Sequence, residues 1–565
     1  MDYKPLPIGE ENFGDMITNG YYYVDKTLFI KELIDKKGKV NLFTRPRRFG
    51  KSLNISMIQY FFEKTEKDNA SLFEGLHIMA AGEKYTSEMQ KYPVIKLTLK
   101  VADQSNYQSS FLKLKEELIR EFKRHSYLLE SDKILDIDKS LFTKTMNGTT
   151  GAEIYSSSIK FLTGCLEQHH GEKAIVLIDE YDVPLEKAYF SGYYDEMIDF
   201  LRSLFNTGLK TNDSLHFAVM TGCLRVNKES IFTGFNNPKI IPITSSEYGE
   251  YFGFTEDEVK AALSCYQLDH KAEEARQWYN GYLFGDVNVY NPWSIISYLN
   301  DMYHNNTLYP KPYWSNTSSN SIIQELITLA DDQAKEEIEE LIRGGSITKP
   351  IHEDVIYSEI KQNMDNLWNF LFFTGYLKKV SEIFRDDQIY FELKIPNSEV
   401  LYIYKRKIRE WFDRRIRITD TGTILNAIVK KDTETLSREL NQRLSSTISY
   451  FDSKEAFYHG FLLGILSNIQ GYTIKSNQEK GLKDKPRNGR SDIYMKTKGS
   501  DYGAAIFELK ITRKRGQLEK KCDEALKQIE EKNYVAALED DGYKDIIRYG
   551  IAFYEKECMV KAFPH

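Results

Sequence analysis

The stretch "LFTRPRRFGKSLNISMIQYFF", residues 42–62, limits what this chain can fold into more than any other. A short apolar run ends at Phe43, a turn-prone segment with three arginines follows, and Gly50-Lys51-Ser52 opens an apolar helix. Strand, loop and helix in that order begin a βα unit, and such units build parallel sheets. Further apolar runs stand at "YPVIKLTL" (92–99), "AIVLID" (174–179) and "LHFAVMTG" (215–222), separated by helical patterns such as "FLKLKEELIREFKRH". Strands buried on both faces and alternating with helices imply a parallel α/β sheet.

Backbone N–H groups at a helix start attract anions, and a lysine beside them neutralises phosphate oxygens. Gly50, Lys51 and Ser52 therefore read as a phosphate-binding loop, with Lys51 for the β and γ phosphates and Ser52 for Mg2+. Such a site also needs an apolar strand ending in acid. "AIVLIDEYD" provides it, with Asp179 for magnesium and Glu180 to polarise an attacking water. Thr221, at the tip of another strand, is placed to touch the terminal phosphate, and Arg225 or Lys228 in the basic loop that follows could sense the nucleotide. The usual loop begins with glycine, whereas Arg45 holds that position here, pushed toward extended backbone by Pro46. The loop is thus expected to differ in shape from the usual one, with Arg47 and Arg48 compensating through charge. Binding of ATP is expected; fast hydrolysis is not.

Beyond residue 240 helical segments dominate, and "LWNFLFFTGYLKKV" followed by "QIYFELKIP" reads as a helix and hairpin of winged-helix-like kind. Beyond 440 a helix, "KEAFYHGFLLGILSNI", precedes two strands, "SDIYMKT" and "YGAAIFELKIT", and another helix, "EKKCDEALKQIEEKNY". In the second strand Glu508 and Lys510 leave the same face. With a hairpin centred near Ser500, Asp492 lies across from Glu508, and two carboxylates and a lysine converge. Two carboxylates can hold Mg2+ or Mn2+, and the lysine can orient or deprotonate a nucleophile, the logic of a metal-dependent nuclease. Alone the pattern is unspecific, and an amphipathic strand with a solvated face is its ordinary meaning. Yet "AAIFELKI" is largely apolar, and charges there are costly unless they serve a site. Glu455 and His459 lie four apart on the upstream helix, and the downstream helix offers Gln528. Residues 471–534 carry 16 Lys/Arg against 10 Asp/Glu, which suits a polyanionic backbone, while the net charge of −7 excludes a uniformly basic coat.

Five scattered cysteines without a CxxC pair argue against a zinc ribbon or disulfide framework and suit a reducing cytosol. No apolar run approaches the ~20 residues that span a membrane. The N-terminus has no secretory pattern. A cytoplasmic protein is expected, with no membrane partner, and a homo-oligomer could complete its nucleotide sites with a neighbour's arginine.

In order along the chain, "YVDKT" (23–27), "RPRRFGKSLN" (45–54), "VLIDEYDVPL" (176–185), "RVNKESIFTGFNN" (225–237), "WYNGYLFG" (278–285), "VYNPWSI" (289–295), "EAFYHGFLLGIL" (455–466), "SNQEKG" (476–481), "GRSDI" (489–493) and "FELK" (507–510) resemble bacterial AAA-ATPase-like proteins fused to a C-terminal PD-(D/E)XK nuclease-superfamily domain. Arginine in place of the first loop glycine is typical of that group. The resemblance implies an α/β multidomain protein: an AAA-like P-loop domain (1–240), a helical lid and winged-helix-like region (241–440) and a restriction-endonuclease-like domain (441–565). By it, Lys51 and Ser52 match the phosphate and Mg2+ residues, and Asp179 and Glu180 the acidic pair. Asp492, Glu508 and Lys510 form the nuclease set, Glu455 adds to its metal site and Gln528 is a polar addition. Ser491 replaces the proline that names the motif. The expected function is a nucleotide-regulated, Mg2+-dependent DNA endonuclease in defence or mobile-element biology. The alternative is an ATP-binding switch or scaffold whose nuclease-like domain only binds nucleic acid.

Overall fold

The computed structural model describes residues 3–225, 238–305, 309–316, 330–353, 364–407, 422–445, 455–467, 469, 471–476, 493–497 and 503–563. They fall into two units, Met1–Asn320 with Ser346–Ile403, and Ser321–Gly345 with Tyr404–His565.

Five parallel strands make the first unit's main sheet: β1 (Val40–Thr44), β2 (Val94–Thr98), β3 (Ala174–Asp179), β4 (Leu215–Gly222) and β5 (Lys239–Ile241). Their order is β2-β3-β4-β1-β5. Every residue of β1 and β3 is buried, which is why their sequences run apolar without alternation. The order inserts β4 between β1 and β3, so its tip reaches both the loop after β1 and the acids after β3. The helix Lys51–Phe62 follows β1 through that loop, entered at Gly50 with φ of 80°, a backbone region that residues bearing Cβ disfavour.

Helices Glu256–Cys265, Ala272–Tyr279 and Pro292–His304 pack through Val259, Leu263, Tyr279, Tyr298 and Leu299. The short hairpin β6 (Tyr282–Phe284) and β7 (Val287–Val289) lies between them in sequence. A separate antiparallel sheet contains β8 (Ile347–Pro350), β9 (Lys378–Arg385) and β10 (Gln388–Lys394), in the order β8-β10-β9. The helix Met364–Phe373 precedes its hairpin.

The second unit is built on a mixed sheet of β11 (Tyr472–Ser476), β12 (Ile493–Thr497), β13 (Ala504–Ile511), β14 (Ile546–Tyr554) and β15 (Glu557–Ala562), paired in sequence order. Only β13 and β14 run parallel, and the helix Leu518–Glu531 connects them. Alternate residues of β13 serve opposite faces. Ala505, Phe507 and Leu509 join Phe461, Leu462 and Ile465 of the helix Glu455–Ser467 in one core, whereas Ala504 and Ile506 pack with Leu526 and Ile529 of the connecting helix. Glu508 and Lys510 continue that second set. Gly550 pairs with Glu508 in the ladder, and a Cβ there would fall 2.4 Å from the Cys522 carbonyl oxygen and 3.0 Å from Leu526 Cγ. The connecting helix therefore rests directly on the sheet beside Glu508.

One buried carboxyl ties the middle of the first unit together. Glu399 is fully buried and accepts from the Ser294 hydroxyl and the Trp314 N–H, both at 2.8 Å. Burial outweighs these bonds and raises its pKa to about 7. A folded-state pKa above the unfolded value of about 4.3 means that the native state holds a proton which the unfolded state has lost. Stability from this group is fully present at low pH and is lost as pH rises from about 4.3 to about 7, at roughly 1.4 kcal/mol per unit. Glu399→Gln is expected to flatten that fall, measured as urea unfolding at pH 5, 6 and 7.

Candidate functional site

Asp179 is where the first unit's sheet ends meet. The Ser52 hydroxyl, in the first turn of its helix, donates to Asp179 Oδ2 at 2.6 Å, and the Thr221 hydroxyl, at the tip of β4, donates to Oδ1. Thr221 is buried, so the structure places it as a support for Asp179. Lys51 Nζ lies inside the loop and donates to the Arg45 and Pro46 carbonyls, each at 2.9 Å, with Cys223 Sγ at 3.6 Å. Glu180 sits in the left-handed region with φ of 53°. Burial, then the neighbouring Asp179 charge, hold its carboxyl above the usual range. Asp182 accepts the Cys223 and Leu224 N–H groups at 2.7 and 2.9 Å and so fixes the exit of β4.

Arg45, the residue that displaces glycine, is fully buried and turned inward. Its Nη1 donates to the carbonyls of Thr44 at 2.9 Å and Ile241 at 2.7 Å, at the ends of β1 and β5. The guanidinium lies 5.0 and 5.1 Å from the ring centres of Phe252 and Phe284. Its own N–H reaches the Gly222 carbonyl at 2.9 Å. Burial lowers its pKa to about 9, which leaves it cationic at neutral pH. Arg45 is therefore the root of the loop, fastened to three strand ends.

Arg47 and Arg48 face a cavity of about 560 Å³ whose lining includes Gly50, Lys51, Ser52 and Glu180. Arg47 forms a two-pronged ion pair with Glu186 at 2.9 and 3.1 Å. Arg48, itself left-handed with φ of 71°, lies 4.1 Å from the Trp293 ring centre. Phe254, Trp293 and Ile296 give the cavity an apolar wall beside its charged floor. Arg225 pairs with Glu353 at 3.5 Å and does not line the cavity. Adjacent hydroxyl and carboxylate oxygens on Ser52 and Asp179 are the hard donors that magnesium prefers.

In the second unit Glu508, Lys510 and Gln528 form a closed triangle. The Gln528 amide nitrogen donates to Glu508 Oε1, Lys510 Nζ lies 3.4 Å from that same oxygen, and Lys510 Nζ donates to Gln528 Oε1 at 2.7 Å. Tyr534 OH stands 3.2 Å from the Gln528 amide nitrogen. Glu508 is only 2% exposed. The β12–β13 ladder pairs Ile493 with Phe507 and Lys496 with Ala504, the register on which the placement of Asp492 opposite Glu508 depends. Asp492 itself, Ser491 and most of the 225–237 and 476–492 segments lie outside the described residues. Glu455 opens the helix Glu455–Ser467, one turn before His459, and its side chain is also outside the description. Among the described residues no group of three or more His, Cys, Asp or Glu forms a metal site. Glu508 is a hard oxygen donor compatible with Mg2+ or Mn2+.

Three partners escaped the sequence reading: Glu186, Trp293 and Tyr534. Glu186 had a signal, since it follows Asp182 by one helical turn in the acidic start of the helix Val183–Ser191. Trp293 and Tyr534 had none, because their roles depend on tertiary packing.

Residues 7–232 match the AAA-ATPase-like family described as "Predicted AAA-ATPase", and residues 453–563 match the PD-(D/E)XK nuclease superfamily. A protein of Azotobacter chroococcum mcd 1 described as "Uncharacterized protein in vnfD 5'region" is 25% identical over 548 residues, which span 94% of this chain and 93% of that one. Both triads of polar residues thus fall within matched domains, in the expected order.

Arg45→Ala is expected to destabilise the chain by roughly 3–5 kcal/mol through lost buried hydrogen bonds and a cavity. Arg45→Lys should recover little, since lysine lacks the planar fork. Urea unfolding measures both. Gly550→Val should lower the melting temperature, at about 1–3 kcal/mol, by overpacking the helix against the sheet.

Proposed function

We infer, from a chain that carries an AAA-ATPase-like domain at 7–232 and a PD-(D/E)XK nuclease-superfamily domain at 453–563, that the protein is a nucleotide-regulated, Mg2+-dependent endonuclease acting on DNA. The observation that supports this most is the Glu508–Lys510–Gln528 triangle. A carboxylate buried in an otherwise apolar strand is costly, and its packing gives no reason for it. Chemistry on a phosphodiester does.

Glu508, joined by Asp492 and Glu455, would hold the metal, which when bound supplies an acidified water and neutralises phosphate charge. Gln528 fixes the orientation of Glu508. Lys510, held between them, presents an ammonium that can orient the attacking water or bond the phosphate as charge builds on it.

At the other site Lys51 exchanges the Arg45 and Pro46 carbonyls for phosphate oxygens, and the amides of the Lys51–Phe62 helix start complete the cradle. Ser52 and Asp179 would hold magnesium, with Thr221 keeping Asp179 in place. Glu180, beside Asp179 and lining the cavity with Lys51 and Ser52, is placed to polarise an attacking water. Arg47 and Arg48 flank the phosphates, though Arg47 must share its charge with Glu186. ATP binding regulates access to the nuclease site, and defence against foreign DNA or mobile-element biology is the setting such an activity fits.

The test is cleavage of plasmid and linear DNA with Mg2+ or Mn2+, with and without ATP. Lys510→Ala should lose at least 100-fold in cutting while still binding ATP. Lys51→Ala should lose ATP binding and alter cutting, and Glu180→Gln should bind ATP but hydrolyse it far more slowly. Cutting that survives Lys510→Ala refutes the assignment of the site. ATP binding with no cutting under any condition identifies a switch or scaffold instead.

A further inference from the structure

Where the chain leaves the Glu508–Lys510 strand it becomes strongly basic. Residues 510–521, "KITRKRGQLEKK", hold six cations and one acid in a chain of net charge −7. These cations are of two kinds. Arg515 pairs with Glu557 at 2.7 Å, Lys521 with Glu524 at 2.5 Å, and Lys510 is held in the Glu508–Gln528 triangle. The acid of the run, Glu519, is engaged by Lys561 at 3.0 Å. Arg513, Lys514 and Lys520 are exposed and form no ion pair among the described residues, although the Lys520 charge acts on Glu524 one helical turn on. Exposed cations without ion pairs contribute nothing to the core, so packing does not explain these three.

Their placement relates all three to the candidate site. Arg513 and Lys514 lie three and four residues past Lys510, just beyond the end of β13. Lys520, Glu524 and Gln528 are spaced four apart on the helix Leu518–Glu531 and share one face. Glu524, whose pKa is lowered first by its bond to Lys521, also feels the Lys520 and Lys510 charges, so this face continues into the triangle. At 1.5 Å per residue, Lys520 stands about 12 Å from Gln528 along the helix axis. At 3.4 Å of rise per nucleotide that is about three to four steps of a nucleic-acid strand.

We propose that Arg513, Lys514 and Lys520 form a phosphate track that guides a nucleic-acid strand into the Glu508–Lys510–Gln528 site. This rests on the nuclease reading given above. Arg515 and Lys521, neutralised by their partners, are not part of the track.

The experiment uses full-length Lys510→Ala protein, which binds without cutting, and labelled single-stranded DNA, double-stranded DNA and RNA of one sequence. Affinity is measured from 50 to 300 mM salt for this parent, for the added triple change Arg513→Gln, Lys514→Gln and Lys520→Gln, and for a control with Arg515→Gln and Lys521→Gln. The triple change should weaken binding about tenfold or more at 50 mM salt. It should also lower the slope of log affinity against log salt by about 2 to 3, since each lost phosphate contact removes 0.7–0.9. The control should change affinity less than threefold. Lys520→Glu alone, on an exposed helix face, keeps the test valid if the triple protein melts early. An unchanged slope in the triple protein overturns the track, as does an equal loss in the control. A parent that binds none of the three nucleic acids overturns the nuclease reading itself, and the track with it.

Discussion

Two hydroxyls on one carboxylate organise the N-terminal site. Asp179 ends β3, Thr221 is next to last in β4, and Ser52 lies in the first turn of the helix after β1; hydrogen bonds to the two oxygens of Asp179 join all three. The strand order makes this arrangement available, because β4 stands between β3 and β1 and its tip adds Thr221 to the direct Ser52–Asp179 bond. The geometry of the phosphate loop is thus a property of the sheet as much as of the loop.

The C-terminal site depends on a different constraint, the two-residue period of a strand. β13 sends Phe507 and Leu509 into one core and leaves Glu508 and Lys510 on the face of the connecting helix. A helix at ordinary distance would stand off that face. Gly550 removes the intervening side chain, and the helix comes close enough for Gln528 to reach both charged groups. Absence of a side chain at one position is what makes the triangle short.

Much of this was legible in sequence, and the reasons for the rest are physical. β3 reads as a strand because all of its residues are buried, and Glu508 and Lys510 read as neighbours because alternation is local. Motif order also encodes topology, so the meeting of Ser52 with Asp179 could be anticipated. β5, only three residues long, has no pattern to detect. β14 carries an apolar run that periodicity alone does not separate from a buried helix. The inward turn of Arg45 depends on Phe252 and Phe284, far along the chain, and the diversion of Arg47 on Glu186. Arg47 and Arg48 read in sequence as charges that compensate for Arg45 in the glycine position, and only tertiary packing shows Arg45 to be the anchor.

Arg45 has a consequence for how such a loop can be transferred. In a glycine-headed loop the first residue serves the loop alone, and the motif can be moved between proteins as a cassette. Here the first residue is bolted into carbonyls of β1 and β5 and two aromatic rings from another segment. Replacing it by glycine would restore the familiar signature and leave a charged-group-sized hole between those rings. Loop and aromatic cage are therefore one structural unit, and a graft that carries only residues 45–52 carries half of the device.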